Sequence, residues 1–139
     1  PVINGVTNAP GAGTLFIHEF GVNEVLLNGT TNPIEAYVKS GDFDLPIGAQ
    51  GNGEFFVKVR RFLPDFKNLQ GTAKITLQTK DYPIAGNTTV SVFDVDNSTD
   101  KIDTRVRGRL ANITIENNQV DENWRYGTFR VDVQPDGRR

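Results

Sequence analysis

Apolar and polar residues alternate along most of the chain with a period of two, the spacing of a strand buried on one face. The pattern is sharpest near the C-terminal end. Ile102, Thr104 and Val106 alternate with Asp103, Arg105 and Arg107, and after Gly108 the apolar set moves by one position to Ala111, Ile113 and Ile115. Such a shift turns the opposite face inward unless an extra residue absorbs it, so a β-bulge is expected near Gly108, where glycine tolerates it best. The device recurs downstream. Trp124 and Tyr126 precede Gly127, after which Phe129, Val131 and Val133 alternate with Arg130, Asp132 and Gln134. The two runs are expected to form one antiparallel pair with bulges near Gly108 and Gly127, joined by the loop 117–123.

The same spacing predicts strands upstream. Residues 14–20 hold the short run Leu15-Phe16-Ile17-His18-Glu19, and 28–33 carry turn chemistry in Asn28-Gly29 and Pro33. Ile34, Ala36 and Val38 share one face of a strand over 34–40. In 55–66, Phe55, Val57 and Val59 alternate with Phe56, Lys58 and Arg60, so both faces carry bulk. That is the signature of a central strand, leaving its sheet at Pro64. Ala73, Ile75 and Leu77 against Lys74, Thr76 and Gln78 make a half-buried strand. Tyr82-Pro83 and Gly86-Asn87 break it, a further strand covers 90–95, and 94–100 is a polar turn. No segment sustains an apolar period of 3.6, and β-branched and aromatic residues dominate the periodic stretches. The expected fold is all-β, an antiparallel β-sandwich of about eight strands, with part of a β-propeller as the alternative. Residues 1–13, small, uncharged and rich in Gly and Pro, read as a linker or an arm lying on a neighbour, and 14–139 as a single β domain.

Composition narrows this picture slightly. At 139 residues the chain is long enough for a core without staples, and the absence of cysteine excludes disulfides and thiolate metal sites. No apolar run approaches membrane-spanning length and no leader pattern is present, so no membrane span is expected. There is no methionine and the first residue is Pro1, from which a processed or excised piece is expected. A net charge of −2 gives no global reason to expect nucleic-acid binding, so any basic surface must be local.

Candidate chemistry is sparse. Asp94, Asp96, Ser98 and Asp100 place oxygen ligands at alternate positions, as the first part of a calcium loop does. Thr99 stands where that loop needs glycine and Arg105 where it needs a bidentate acid, so a solvated turn is the favoured reading and no metal is assigned. The single histidine, His18, has no cysteine, Gly-x-Ser-x-Gly elbow or His-Glu-x-x-His motif to work with. Asp42, Asp44, Glu54, Asp65 and Glu116 are available as a carboxylate pair for glycoside hydrolysis, although sequence alone places no two of them together. No catalysis and no cofactor are expected. Arg105, Arg107 and Arg109 form a stripe if pairing is regular. With Arg130 they are candidates for inter-subunit ion pairs or a wall facing a polyanion, with Asp103, Asp132 and Asp136 as cross-strand partners, and an ordinary exposed sheet face is the equal alternative. Trp124 and Tyr126 are candidate stacking platforms beside Tyr37, but read more simply as covers of the core. Four Asn-x-Ser/Thr sequons, at Asn28, Asn87, Asn97 and Asn112, are cheap to obtain in a chain rich in Asn and Thr.

The closing residues carry a resemblance. Arg105-Val-Arg-Gly-Arg109, Trp124-Arg-Tyr-Gly127 and Pro135-Asp-Gly-Arg-Arg139 are similar to the C-terminal signature of virion proteins of tailed, mostly short-tailed, bacteriophages. These are tail hub, nozzle or tube-type proteins whose longer chains often carry a β-propeller. His18-Glu-Phe-Gly21, Ile34-Glu-Ala-Tyr-Val-Lys-Ser-Gly-Asp-Phe-Asp44 and Phe62-Leu-Pro-Asp-Phe66 resemble the same family in the same order. Leu110 stands where relatives usually have Gln, and Tyr126 where Leu is common. The resemblance implies a non-enzymatic virion component, assembled in the bacterial host cytoplasm and present in many copies. It implies homo-oligomers, contact with other virion proteins, and DNA close by if the site is a tail channel. The rival expectation from the residues is a receptor- or carbohydrate-binding β-sandwich module.

Overall fold

The computed structural model describes residues 21–26, 28–44, 55–84 and 88–138, and among them there is no helix. The arm expected at 1–13, the strand expected at 14–20, His18, Glu54 and the Asn87 sequon lie outside these residues.

Among the described residues eleven strands follow one another: β1 (Asn23–Val25), β2 (Thr31–Pro33), β3 (Ala36–Lys39), β4 (Phe55–Leu63), β5 (Phe66–Gln70), β6 (Ala73–Lys80), β7 (Thr88–Val95), β8 (Ile102–Gly108), β9 (Leu110–Asn117), β10 (Asn123–Tyr126) and β11 (Arg130–Arg138). They pair antiparallel in a three-stranded sheet β11-β4-β8, a four-stranded sheet β3-β9-β6-β7, and the two-stranded ladders β1-β2 and β10-β5. No closed barrel or propeller blade is formed among the described residues. The expected eight differ from these because β1 and β2 were not foreseen, since 28–33 reads as a turn, and because three long stretches each turn a corner and leave one sheet for another. Pro64-Asp65 divides β4 from β5, Gly108-Arg109 divides β8 from β9, and 127–129 divide β10 from β11.

Those corners correct the reading of the two glycines. The apolar shift at Gly108 is real, but a change of sheet absorbs it rather than a bulge: β8 pairs with β4, whereas β9 pairs with β6 and β3. A Cβ at Gly108 would lie 2.6 Å from Thr79 Cβ, so only glycine lets the two sheets meet here. The Thr79 hydroxyl donates to Arg107 O at 3.1 Å and Arg109 N to Lys80 O at 2.9 Å, which ties the corner to β6. Gly127 is likewise a corner. Its N–H donates to Asp65 O at 2.7 Å, and a Cβ there would come within 2.9 Å of the Asp65 side chain. The expected pairing of the two closing runs with each other does not occur; β8 and β11 flank β4 instead. Residues 55–70 and 123–138 form one bent ribbon, in register from Arg138↔Phe55 to Asn123↔Gln70 apart from slips of one residue. The register slips fall between Val59 and Arg61, Asp132 and Val133, Pro135 and Arg138, and Asn123 and Arg125. The first explains why the buried positions of β4 pass from Val57 and Val59 to Phe62. Buried Thr104 answers it by donating its hydroxyl to Val59 O at 2.5 Å.

The inward faces meet in two clusters. Phe62, Leu69, Ala73, Ile75, Val95, Ile102, Ile113 and Ile115 form one; Val57, Val59, Leu77 and Val106 form the other, and Phe93 bridges them. Residues from both larger sheets enter each cluster, so neither sheet can form its core alone. Burying an Ile or Val of this kind is worth about 1.5–3 kcal/mol, the main term available to a chain without disulfides or helices. The strict alternation of β6 and β8, one face buried and one not, is the pattern visible in the sequence.

Candidate interaction surfaces

The arginine stripe lies on the outer face of the three-stranded sheet. Because Val106, Val57, Val59, Val131 and Val133 point inward, Arg105 and Arg107 of β8, Lys58 and Arg60 of β4, and Arg130 of β11 share the opposite face. Arg107 Nε meets Asp136 Oδ2 at 2.5 Å, and its guanidinium sits 3.9 Å above the Phe56 ring. Arg109, past the corner, falls out of the alternation, yet its guanidinium comes back to within 5.3 Å of the same ring and 5.4 Å of Tyr82. Arg109 Nε is buried without a partner among the described residues. Asp103 serves Arg61 at 2.9 Å and Lys101 at 3.6 Å rather than Arg105, and Arg130 reaches Asp65 at 3.8 Å. The hydrogen bond from Arg61 holds the Asp103 carboxyl below its ordinary range. These pairs are half exposed, and exposed pairs contribute about 0–1 kcal/mol. Asp103, Asp132 and Asp136 stand among these cations, so the face is a mixed surface with an excess of positive groups, not a rigid ionic lattice.

Trp124 and Tyr126 are not on that face. They stand edge-on to Phe66, with centroids at 6.0 and 5.4 Å, and pack against the core cluster containing Phe62 and Leu69. The Trp124 indole N–H donates to Asn117 Oδ1 at 3.0 Å. The Tyr126 hydroxyl is buried with no partner among the described residues, and burial together with the nearby Asp65 charge pushes its pKa up to about 12. Of the three aromatic platform candidates, Tyr37 on β3 is the exposed one, at 76%.

The carboxylates are dispersed. Asp42 accepts from Asn112 Nδ2 at 2.6 Å and pairs with Lys80 at 3.0 Å, and these bonds, Asn112 first, lower its pKa. Asp65 sits at the corner beside Gly127. Glu116 is four residues from Asn112 along β9, roughly 13 Å away at strand spacing. In the 94–100 turn, Asp96 Oδ1 accepts from Ser98 N, Ser98 Oγ and Thr99 Oγ1 at 2.7–3.0 Å, which lowers its pKa and closes the turn on itself. Among the described residues no three acidic or histidine side chains converge as metal ligands would. The Asn112 side chain is buried with its amide engaged, so that sequon presents no accessible acceptor.

A second surface was not foreseen. Between the β3 edge and the bent ribbon runs an apolar groove of about 500 Å³, lined by Val38, Phe43, Ile113, Ile115, Tyr126, Phe129, Val131 and Val133 among others. Val38, Ile113 and Ile115 come from the inner face of one sheet, Val131 and Val133 from the inner face of the other; the core lies open along this side. In the sequence Phe129 belongs to the run with Val131 and Val133, and Phe43 stands between Asp42 and Asp44; neither spacing shows that the two border one groove. Lys58 and Arg60 were visible as alternating charges of the central strand, but only the order β11-β4-β8 places them beside Arg105 and Arg107.

Neither a known protein family nor any curated protein matches the chain. None of its described helices could cross a membrane, since there are none.

Proposed function

We propose that the chain is a structural component of a bacteriophage virion, a tail domain of hub, nozzle or tube type that works by packing against copies of itself and other virion proteins. In this reading it is a two-layer antiparallel sandwich, with the three-stranded sheet over the four-stranded one and β5-β10 and β1-β2 as extensions. The supporting observation is where the resembling residues sit. Arg105–Arg109 make the corner between the sheets, while Trp124–Gly127 and Phe62–Phe66 make the two sides of the ribbon's bend. These three segments build the bends of the fold, as suits a protein whose task is to hold a surface in place. The strands at the sheet edges among the described residues, β3, β7, β8 and β11, and the outer face with its cationic excess are the contacts available to neighbours. Turned toward a tail channel, that face would lie against DNA phosphates without reading sequence.

Peptide mass spectrometry of purified particles, with native mass measurement of the isolated chain, tests the reading. Expected are several copies per particle and an oligomer in solution; absence from particles together with a monomer at micromolar concentration would refute it. A carbohydrate-array signal abolished by Tyr37→Ala would favour the rival binding module.

A further inference from the structure

We infer that β7 is the edge by which two copies of this chain join, antiparallel about a two-fold axis through Ser91, so that their four-stranded sheets continue as one. The inference rests on the reading that the chain works by packing against copies of itself, and it adds the edge and the register. Among the described residues β7 ends the order β3-β9-β6-β7 and is paired on one side only. Such an edge leaves a row of backbone donors and acceptors open, and proteins that stay apart guard it with charge, proline, a bulge or short length. The other edges of the two larger sheets each have one of these guards. β8 carries Asp103, Arg105 and Arg107, β11 contains Pro135 and two register slips, and β3 has four residues. β7 has none of them. It pairs with β6 without a slip over all eight residues, Thr88–Val95, and Asp94 is its single charge.

The side chains fit a second copy of the same strand. Phe93 and Val95 turn inward, so Val90 and Val92 lie on the outer face, 55% and 54% exposed, with uncharged Gln78 and Thr76 opposite them on β6. Thr88, Thr89 and Val90 are exposed in succession, which leaves the start of the strand uncovered on both faces. An antiparallel pair centred on Ser91 sets Val90 against Val92 of the second copy and Val92 against its Val90. That makes one patch of four valines, flanked on each side by Thr76 and Gln78. In the same register Phe93 lies against Thr89 of the second copy, and Asp94 meets Thr88, whose hydroxyl donates to the carboxylate. The paired stretch, 88–94 of each copy, spans roughly 23 Å. Other centres do worse. Centred on Val92 or Phe93, a valine faces Asp94, and centred on Val90 the paired stretch shrinks to 88–92. A pair of this kind is isologous and closes on itself, so it joins two copies without propagating into a fibre.

Sedimentation of the full chain tests this, with the parent expected to be a dimer or an even-numbered oligomer. Val90→Lys with Val92→Lys places two like-charged pairs across the axis and should raise the dissociation constant at least about tenfold. Val90→Lys with Val92→Glu places two opposite-charged pairs there and should keep the dimer. Both sites are half exposed, and circular dichroism checks that each variant folds. If one does not, Ser91→Cys in this cysteine-free chain serves instead. At the axis the two Cα atoms lie about 4.5–5.5 Å apart, so mild oxidation should give an interchain disulfide, and Val120→Cys in the β9–β10 loop should give none. A monomeric parent, equal behaviour of the two double variants, or no crosslink through Ser91→Cys overturns the assignment. The virion reading fails separately: a parent that stays oligomeric with both lysines, or a monomer present in purified particles, rejects this edge and leaves that reading standing.

Discussion

Replacing Gly108 by alanine tests whether the sheets meet as closely as the fold requires. The added Cβ would lie 2.6 Å from Thr79 Cβ and 3.2 Å from Lys80 N and O. Carbon atoms in contact prefer about 3.5–4.0 Å, so a displacement of about 1 Å is needed. Thr79 cannot supply it by rotating, because the obstructing atom is fixed to its backbone, and β6 is held from both sides by β7 and β9. Overpacking of this kind costs about 1–3 kcal/mol. Weakening the Thr79–Arg107 hydrogen bond adds about 1 kcal/mol, while alanine recovers about 0.5–1 kcal/mol of backbone entropy relative to glycine. The balance is a destabilisation of about 2 kcal/mol, or a fall in Tm of about 7 °C for a chain of this length. Urea and thermal unfolding followed by circular dichroism measure it. Gly41→Ala, with nothing within 4 Å of its Cβ, is the control and should be neutral or slightly stabilising. Thr79→Ser should give no rescue, since it keeps the clashing atom. A Gly108→Ala protein as stable as its parent would refute the close approach, and with it the account of the corner.

Other consequences are as direct. Tyr126→Phe removes a buried hydroxyl that has no partner among the described residues and should stabilise the fold by about 1 kcal/mol; ultraviolet titration should at the same time lose a phenol that ionises near pH 12. Asp42 has its pKa lowered from 3.8 by Asn112 and Lys80, so its contribution is present above that value and is lost as pH falls through the lower folded value. Acid unfolding should therefore deepen below pH 3.8, and Asp42→Asn should flatten that limb; an unchanged slope would show that the bonds do not favour the charged form. Asn112→Asp sets a second carboxylate against Asp42 and should cost about 2 kcal/mol or more at neutral pH, with partial recovery in acid as the pair shares a proton. A variant with the same stability at pH 7 and pH 4 would contradict that geometry.

Several elements were legible because they depend on one strand and one face. The alternation of Ala73–Lys80 and of Ile102–Gly108 maps directly onto burial, and the two-sided bulk of Phe55–Leu63 marked it as a sheet centre. The covering role of Trp124 and Tyr126 was also the simpler sequence reading. The glycines were located correctly but misread. A one-residue shift in apolar phase looks the same along the chain whether a bulge or a change of sheet absorbs it, and only the identity of the pairing partner distinguishes them.

The order of residues by itself determined that this chain builds strands, which faces they bury, and where its long runs must break, since a period of two and the backbone limits of Gly and Pro are local properties. Tertiary structure alone decided which strands become neighbours, and hence that Lys58, Arg60, Arg105 and Arg107 share one surface and that Val38, Phe43 and Phe129 border a common groove. Those choices rest on contacts between residues far apart in the chain, and no local spacing encodes them.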